Sequence, residues 1–200
     1  MDVAEIKRAV GRAAVDGLVE SGMKLGLGTG STAVEAVYRV GELVRAGMLK
    51  DIKAVPTSFQ TVVACQREGI SLWTLNDPVI GASLDLTIDG ADEVDPEWRL
   101  IKGGGAAMLI EKIVAHASRA YCIIVDSSKI VGRLGEKAPV PVEVFPEALT
   151  TAGRSLEALG GTVELRMAIP GVTANGIFTH PVTDLIIGAP DGTTDHRRRT

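Results

Sequence analysis

Four short apolar runs in this chain each break off into a polar turn, and the stretches between them carry apolar residues at helical spacing. The runs are Lys24–Gly28, Ile52–Val55, Ser83–Asp89 and Tyr121–Val125. Short strands alternating with amphipathic helices read as βαβ units, which impose a mainly parallel sheet with helices on both faces. The Tyr121–Val125 run is almost continuously apolar, as a strand covered on both faces requires. In such α/β sheets ligands sit outside the carboxyl ends of the strands. All four polar turns fall there, which is stronger evidence for a site than any one of them.

The first turn reads Gly28-Thr29-Gly30-Ser31-Thr32, and Ala33, Ala36, Val37, Val40 and Val44 mark the helix after it. Strand, glycine turn and helix present bare backbone N–H groups and a positive dipole end to an anion. Thr29, Ser31 and Thr32 add hydroxyls, so a phosphate is the expected guest. The turn lacks the Gly-Lys-Ser/Thr of a nucleotide P-loop. It does match the relaxed dinucleotide pattern at Gly28, Gly30 and Ala33, but no strand ending in a ribose-binding acid follows near Asp51.

The third run carries the chemistry. Leu84, Leu86 and Ile88 alternate with Asp85 and Thr87, the period of a strand, and lead into Asp89-Gly90-Ala91-Asp92. Lys102 then introduces Gly103, Gly104 and Gly105 and a helix expected from Ala106 to about Arg119, with Glu111 inside it. Asp89 and Asp92 suit turns in their own right, and Glu111, Lys102 and Lys129 could be solvated charges. Their convergence on one side of one sheet points instead to a small phosphorylated substrate and a proton transfer. A carboxylate can move a proton between adjacent carbons of a sugar through an enediolate, with an ammonium stabilising the oxygen. Glu111, flanked by Ile110 and Ile113, is the carboxylate best placed for burial to raise its pKa.

Composition narrows the classes. The net charge is −4 over 200 residues, against a generic nucleic-acid binder, and the basic tail His196-Arg197-Arg198-Arg199 reads as a frayed, solvated terminus. Cys65 and Cys122 have no Cys or His at metal spacing, and His116, His180 and His196 are isolated. No metal cluster or cofactor is expected. The start of the sequence lacks signal-peptide features, and no apolar run reaches the ~18 residues of a membrane span, so a cytoplasmic protein is expected.

After Lys129 the character changes. Pro139–Val144 reads as a proline-flanked strand, Pro146–Leu159 as a helix, Thr162–Arg166 as a strand, and Ile177–Thr179 as a further short strand. The expected organisation is a catalytic domain over 1–130, completed by a returning strand within 181–200, and a small α+β lid over 131–180.

These segments resemble the type A ribose-5-phosphate isomerases. The pieces that carry the resemblance are Gly28 to Thr32, Asp89 to Glu93, Lys102 to Ala107 with Glu111-Lys112, Asp126-Ser127-Ser128-Lys129, Pro139 to Val144 and Gly188 to Gly192. The resemblance implies a Rossmann-like domain with a ferredoxin-like lid, assembled as dimers or tetramers, and a reaction without metal or organic cofactor. It implies that Glu111 transfers the proton, that Asp89 and Asp92 bind sugar hydroxyls and help ring opening, and that Lys102 stabilises the oxyanion. It places substrate on Thr29, Gly30, Ser31 and Thr32, on Gly90 and Ala91, on Gly103, Gly104 and Gly105, and on Lys129 and Lys7.

One departure stands out: roughly thirty residues that the family carries between positions equivalent to Arg166 and Ile169 are missing. The lid is expected to lose a strand and a helix, while the chemical residues, all before position 130, are intact. Two other readings compete. A coenzyme A transferase on a related fold would need a nucleophilic glutamate in another context. A sugar-phosphate sensor would need a DNA-binding helix-turn-helix, for which the residues before Lys24 leave no room.

Overall fold

The computed structural model describes residues 1–166 and 176–199. Helix α1, Val3–Leu18, starts at a reciprocal cap. The Asp2 carboxylate accepts from the Glu5 N–H at 2.8 Å, and the Glu5 carboxylate accepts from the Asp2 N–H at 2.9 Å. Strand β1, Lys24–Leu27, and helix α2, Ala33–Arg45, follow, then β2, Lys53–Pro56. Helix α3 spans Phe59–Glu68. It begins at Phe59 because the Ser58 side chain caps it by accepting from the Thr61 N–H. Beyond α3 the chain meets the sheet edge through one parallel bridge between Ala54 and Leu72.

Strand β3 is Leu84–Asp89, followed by the hairpin strands β4, Glu93–Val94, and β5, Leu100–Ile101. Helix α4 covers Met108–His116 and β6 covers Ser118–Asp126. The remaining elements are helix α5, Leu149–Ala158, and the strands β7, Ile177–Phe178, β8, Asp184–Gly188, and β9, Thr194–Arg198.

The main sheet has the order β2-β1-β3-β6-β8-β9, parallel except for β9. β1 lies between β2 and β3, so the chain winds outward in one direction and then in the other. That reversal opens a crevice at the carboxyl ends of β1 and β3. The inner strands β1, β3, β6 and β8 are buried on both faces. Cys122 and Ile124 of β6 join Val10, Ala14, Val37, Val40, Leu25 and Leu27 on one face. Tyr121, Ile123 and Val125 join Met108, Ala115, Leu100 and Phe178 on the other.

A second, antiparallel sheet has the order β4-β5-β7. Its hairpin pairs Glu93 with Ile101 and Val94 with Leu100, and the Asp92 N–H reaches the Ile101 carbonyl at 2.8 Å. The chain therefore doubles back so that Lys102 returns to the end of β3.

Three expectations are corrected. Pro139–Val144 is not a strand; only Val142 is a bridge residue. Pro139 and Pro141 have no N–H to give a ladder, and the Pro141 carbonyl accepts from the Gly176 N–H at 2.7 Å instead. Thr162–Arg166 forms no strand either; the Arg166 guanidinium donates to the carbonyls of Gly103 and Gly104 at 3.1 and 2.7 Å. The shortened junction beyond Arg166 lies outside the described residues. Finally, the basic tail is not frayed. It forms β9 on the edge of the sheet, where His196 Nε2 and Arg198 Nε lie 2.8 and 2.9 Å from Asp184 Oδ1. Against the upward push of burial, these partners and Thr183 hold the Asp184 carboxyl below its ordinary value.

Candidate active site

Asp89 ends β3 and is fully buried, and Lys102 and Glu111 are almost so. Lys102 Nζ lies 3.0 Å from Asp89 Oδ2 and 3.3 Å from Glu111 Oε2, and it donates to the Gly90 carbonyl at 2.6 Å. Phe178 of β7 closes the far side, its ring centroid 5.6 Å from the ammonium. One cation thus sits between two carboxylates in a site almost closed to solvent.

The electrostatics follow from that crowding. Burial alone would push the Lys102 ammonium down, but Asp89 and Glu111 outweigh it and hold it charged. Burial pushes Glu111 up to about 7, with the charge of Asp89 adding to the rise and Lys102 opposing it. Burial raises Asp89 as well. Of the two, Asp89 is the better-supported anion: its Oδ1 accepts from the N–H of Gly90 at 2.7 Å and of Thr29 at 3.3 Å, and it is nearer the ammonium. Near neutral pH Asp89 is therefore the better-held anion, and the raised Glu111 is the carboxyl poised to exchange a proton.

The glycine turns close around this trio. A Cβ on Gly28 would overlap the Asp89 carboxylate, so only glycine lets β1 approach β3 here. The turns also face one another: a Cβ on Gly105 would stand 3.6 Å from the Thr29 methyl, and one on Gly90 3.9 Å from Thr32 Cβ. Asp92 Oδ2 accepts from the Gly104 N–H at 2.8 Å, and Gly103 turns the chain at φ +115°. Ala91 packs on the Phe178 side of the core.

Lys7 crosses from α1 to donate to Ser31 Oγ at 2.8 Å, adding a cation to the first turn. The N–H groups of Gly30, Ser31 and Thr32 have no acceptor among the described residues. Thr29 behaves differently from its neighbours. Its hydroxyl lies 2.7 Å from Thr57 Oγ1 and 3.3 Å from Thr61 Oγ1, turned toward α3. Lys129 stands at the carboxyl end of β6, on the right edge of the sheet, but is not in contact with the trio.

Sequence reasoning missed Phe178, Thr57, Thr61 and Tyr121. The polar turn after β2 was a visible signal for the threonines; nothing local marks the other two. The Tyr121 hydroxyl is fully buried without a hydrogen-bond partner among the described residues, and burial with the charges of Asp89 and Glu111 raises its pKa well above the ordinary value, so it stays neutral. A groove of about 350 Å³ elsewhere, lined by Arg12, Arg39, Arg45 and Glu42 among others, contains none of these groups. Of its four arginines, Arg12, Arg39 and Arg45 are tied to Glu42, Asp16 and Glu68, which makes it largely a salt-bridged surface.

A buried carboxylate pushed up to about 7, an ammonium beside it and a glycine turn at the sheet's switch point are parts that suit an aldose–ketose isomerase of phosphorylated sugars on a Rossmann-like α/β frame. The model of the family ribose 5-phosphate isomerase A (phosphoriboisomerase A) matches residues 53–169. The ribose-5-phosphate isomerase A of Treponema denticola is 48% identical over 187 residues, covering 89% of this chain and 78% of its own. That of Treponema pallidum is 39% identical, covering 98% and 94%.

Among solved structures, a D-ribose-5-phosphate isomerase in complex with phospho-erythronic acid superposes with a TM-score of 0.92 at 32% identity, covering all of both chains. The ribose 5-phosphate isomerase of Plasmodium falciparum gives 0.90 at 30%, covering 99% and 100%. The chain belongs to the ribose 5-phosphate isomerase A family, and its reaction is the interconversion of ribose 5-phosphate and ribulose 5-phosphate. The transferase and sensor readings are not favoured. The T. pallidum alignment runs over 239 positions against a chain of 200, so that relative carries residues this chain lacks.

Proposed function

We propose that Glu111 is the base that carries the proton between carbons 1 and 2 of the open-chain sugar, with Lys102 at the developing oxyanion. The observation that supports this most directly is the placement of Glu111 Oε2 3.3 Å from the Lys102 ammonium in a site dry enough to bring the carboxyl to about 7. A base of that pKa is half ionised at neutral pH, where it both accepts and returns a proton readily.

With ribose 5-phosphate, the Glu111 carboxylate takes the proton from carbon 2. The electrons of that C–H bond form the C1–C2 double bond, and the aldehyde oxygen becomes an alkoxide held by Lys102. Glu111 then delivers the same proton to carbon 1 while the hydroxyl proton passes from O2 to O1, which leaves the ketose. Asp89, fixed by the N–H groups of Gly90 and Thr29, keeps Lys102 charged, and it binds sugar hydroxyls together with Asp92 during ring opening.

The substrate phosphate lies on the N–H groups of Gly30, Ser31 and Thr32, with Lys7 and Lys129 as counter-charges. Gly90, Ala91 and Gly103 to Gly105 line the sugar. The structural neighbour solved with phospho-erythronic acid supports a phosphorylated, acidic ligand for this kind of site. We assign 131–180 the role of a lid, since Pro141 and Arg166 rest on Gly103 and Gly104.

Assembly as a dimer or tetramer is part of the same proposal, as is a cytoplasmic location. Exposed Phe145, Leu149 and Leu159 on and beside α5 support the first. No helix among the described residues is long and apolar enough to cross a membrane. Ribose 5-phosphate conversion assayed with EDTA present tests substrate, reaction and metal independence together. A protein that leaves ribose 5-phosphate unchanged, or that stops when EDTA is added, refutes the proposal.

A further inference from the structure

Four hydroxyls, from the first glycine turn, the turn after β2 and the start of α3, meet in one cluster, and the proton transfer accounts for none of them. Thr57 and Thr61 are 1% and 2% exposed, far more buried than threonine usually is. Thr61 Oγ1 donates to the Gly28 carbonyl at 2.8 Å and lies 3.1 Å from Ser58 Oγ and 3.3 Å from Thr29 Oγ1. Thr29 Oγ1 lies 2.7 Å from Thr57 Oγ1. The Thr57 N–H is bound to the Leu27 carbonyl at 3.0 Å, which fixes one end of the cluster to β1.

Proton counting gives the cluster a direction. A threonine hydroxyl has one proton and two lone pairs. The Thr61 proton is committed to the Gly28 carbonyl, so toward Thr29 and Ser58 it can only accept. Thr29 donating to Thr61 leaves its oxygen to accept from Thr57, and the chain runs Thr57 to Thr29 to Thr61 to Gly28. The Thr29 hydroxyl proton is then spent inside the protein and is not offered to an anion. What the chain holds in place is the backbone of Gly28 and Thr29, the lead into the N–H groups of Gly30, Ser31 and Thr32.

We propose that Thr57 and Thr61 are positioning residues for the phosphate end of the substrate. Their hydroxyls lock the entry to the first turn so that its N–H groups stay aimed at one anion. The inference rests on the assignment of that turn to the phosphate. It goes beyond that assignment by making α3 and the β2 turn, which touch no substrate, determinants of affinity.

The experiment compares Thr61→Val, Thr61→Ser and Thr57→Val in the full chain. It measures KM and kcat for ribose 5-phosphate and the inhibition constant of inorganic phosphate. Thr61→Val keeps the shape but leaves the Gly28 carbonyl without its donor. It is expected to raise KM and the phosphate inhibition constant together, roughly three- to tenfold, the scale of one lost hydrogen bond. The kcat should stay within about twofold, with its acid limb unmoved. Thr61→Ser restores the hydroxyl and should restore both constants.

Unchanged KM and phosphate inhibition in Thr61→Val, even with a lowered melting temperature, would reduce the cluster to a structural role and overturn the proposal. A loss of kcat at constant KM, or no rescue by serine, would overturn it as well. If Thr61→Val does not fold, Thr57→Val decides by the same comparison, because it leaves the Thr61 bond to Gly28 intact. The phosphate assignment is tested separately by Ser31→Ala combined with Lys7→Ala. Unaltered phosphate inhibition there rejects the assignment whatever the threonine variants do.

Discussion

Replacing Glu111 by glutamine should cost activity and gain stability, with the two effects separated by pH. Glutamine keeps the shape and removes the charge, so it cannot take the proton from carbon 2. Loss of a general base lowers turnover about 10²–10⁴-fold, while substrate affinity stays close to that of the parent chain. The stability change follows from the same burial. A carboxyl moved from its ordinary 4.5 to about 7 is disfavoured as an anion in the fold, by up to about 3 kcal/mol at ~1.4 kcal/mol per pKa step.

The sign is that of a raised acid. The penalty is fully present above pH 7, fades as the group protonates, and is absent below the unfolded value near 4.5. Glu111→Gln should therefore unfold later than the parent at pH 8, by roughly 2–4 °C for each kcal/mol recovered in a chain of this size. The two melting temperatures should converge as the pH falls toward 4.5. Thermal unfolding at pH 8, 7, 6 and 5, with ketose formation followed in parallel, tests both halves. A variant with parental turnover, or one whose stability gain is the same at pH 5 and pH 8, would refute the reasoning.

Other consequences follow from the same groups. The kcat/KM of the parent chain should fall on the acid side with an apparent pKa of about 7, as Glu111 protonates, and a steady-state pH profile reads it. Lys102→Met leaves Asp89 and Glu111 buried without their cation. Urea unfolding should show a loss of about 3–5 kcal/mol at pH 8 that shrinks at lower pH, where protonation relieves the repulsion. Mutating His196 and Arg198 together to alanine strips Asp184 of two partners. It should destabilise the fold by roughly 1–3 kcal/mol in the same assay while leaving kcat unchanged, since β9 lies at the sheet edge away from Glu111.

The sheet was readable because its signals are local. Alternation in Leu84–Asp89, the apolar run of β6 and the polar turns after β1, β2, β3 and β6 each occupy a few residues, and the parallel arrangement follows from their order. The second half was harder. Proline-flanked Pro139–Val144 and Thr162–Arg166 have strand-like composition, but a strand needs a neighbour, and here the chain uses Pro141 and Arg166 as props for Gly103 and Gly104. The tail looked like a solvated end because its charges are all that a sequence displays. Its partner, the buried Asp184, is twelve residues from His196. Glu93 shows the same limit: it looks like a third acid of the turn after Asp89 and Asp92, yet its carboxylate is buried and accepts the N–H groups of Gly135 at 2.6 Å and Ala138 at 2.7 Å.

By itself the sequence determined which groups exist and on which edge of the sheet they emerge: Asp89, Asp92, Lys102 and Glu111, with a glycine turn for an anion. Only the tertiary structure decided that Lys102 stands between Asp89 and Glu111 almost shut off from solvent, and so that one carboxyl rises to about 7 while the ammonium stays charged. The order of turns is carried by short-range pattern. The pKa is a sum of desolvation and Coulomb energies from β3, the β4–β5 hairpin, α4 and β7, elements brought together only when the chain closes on itself.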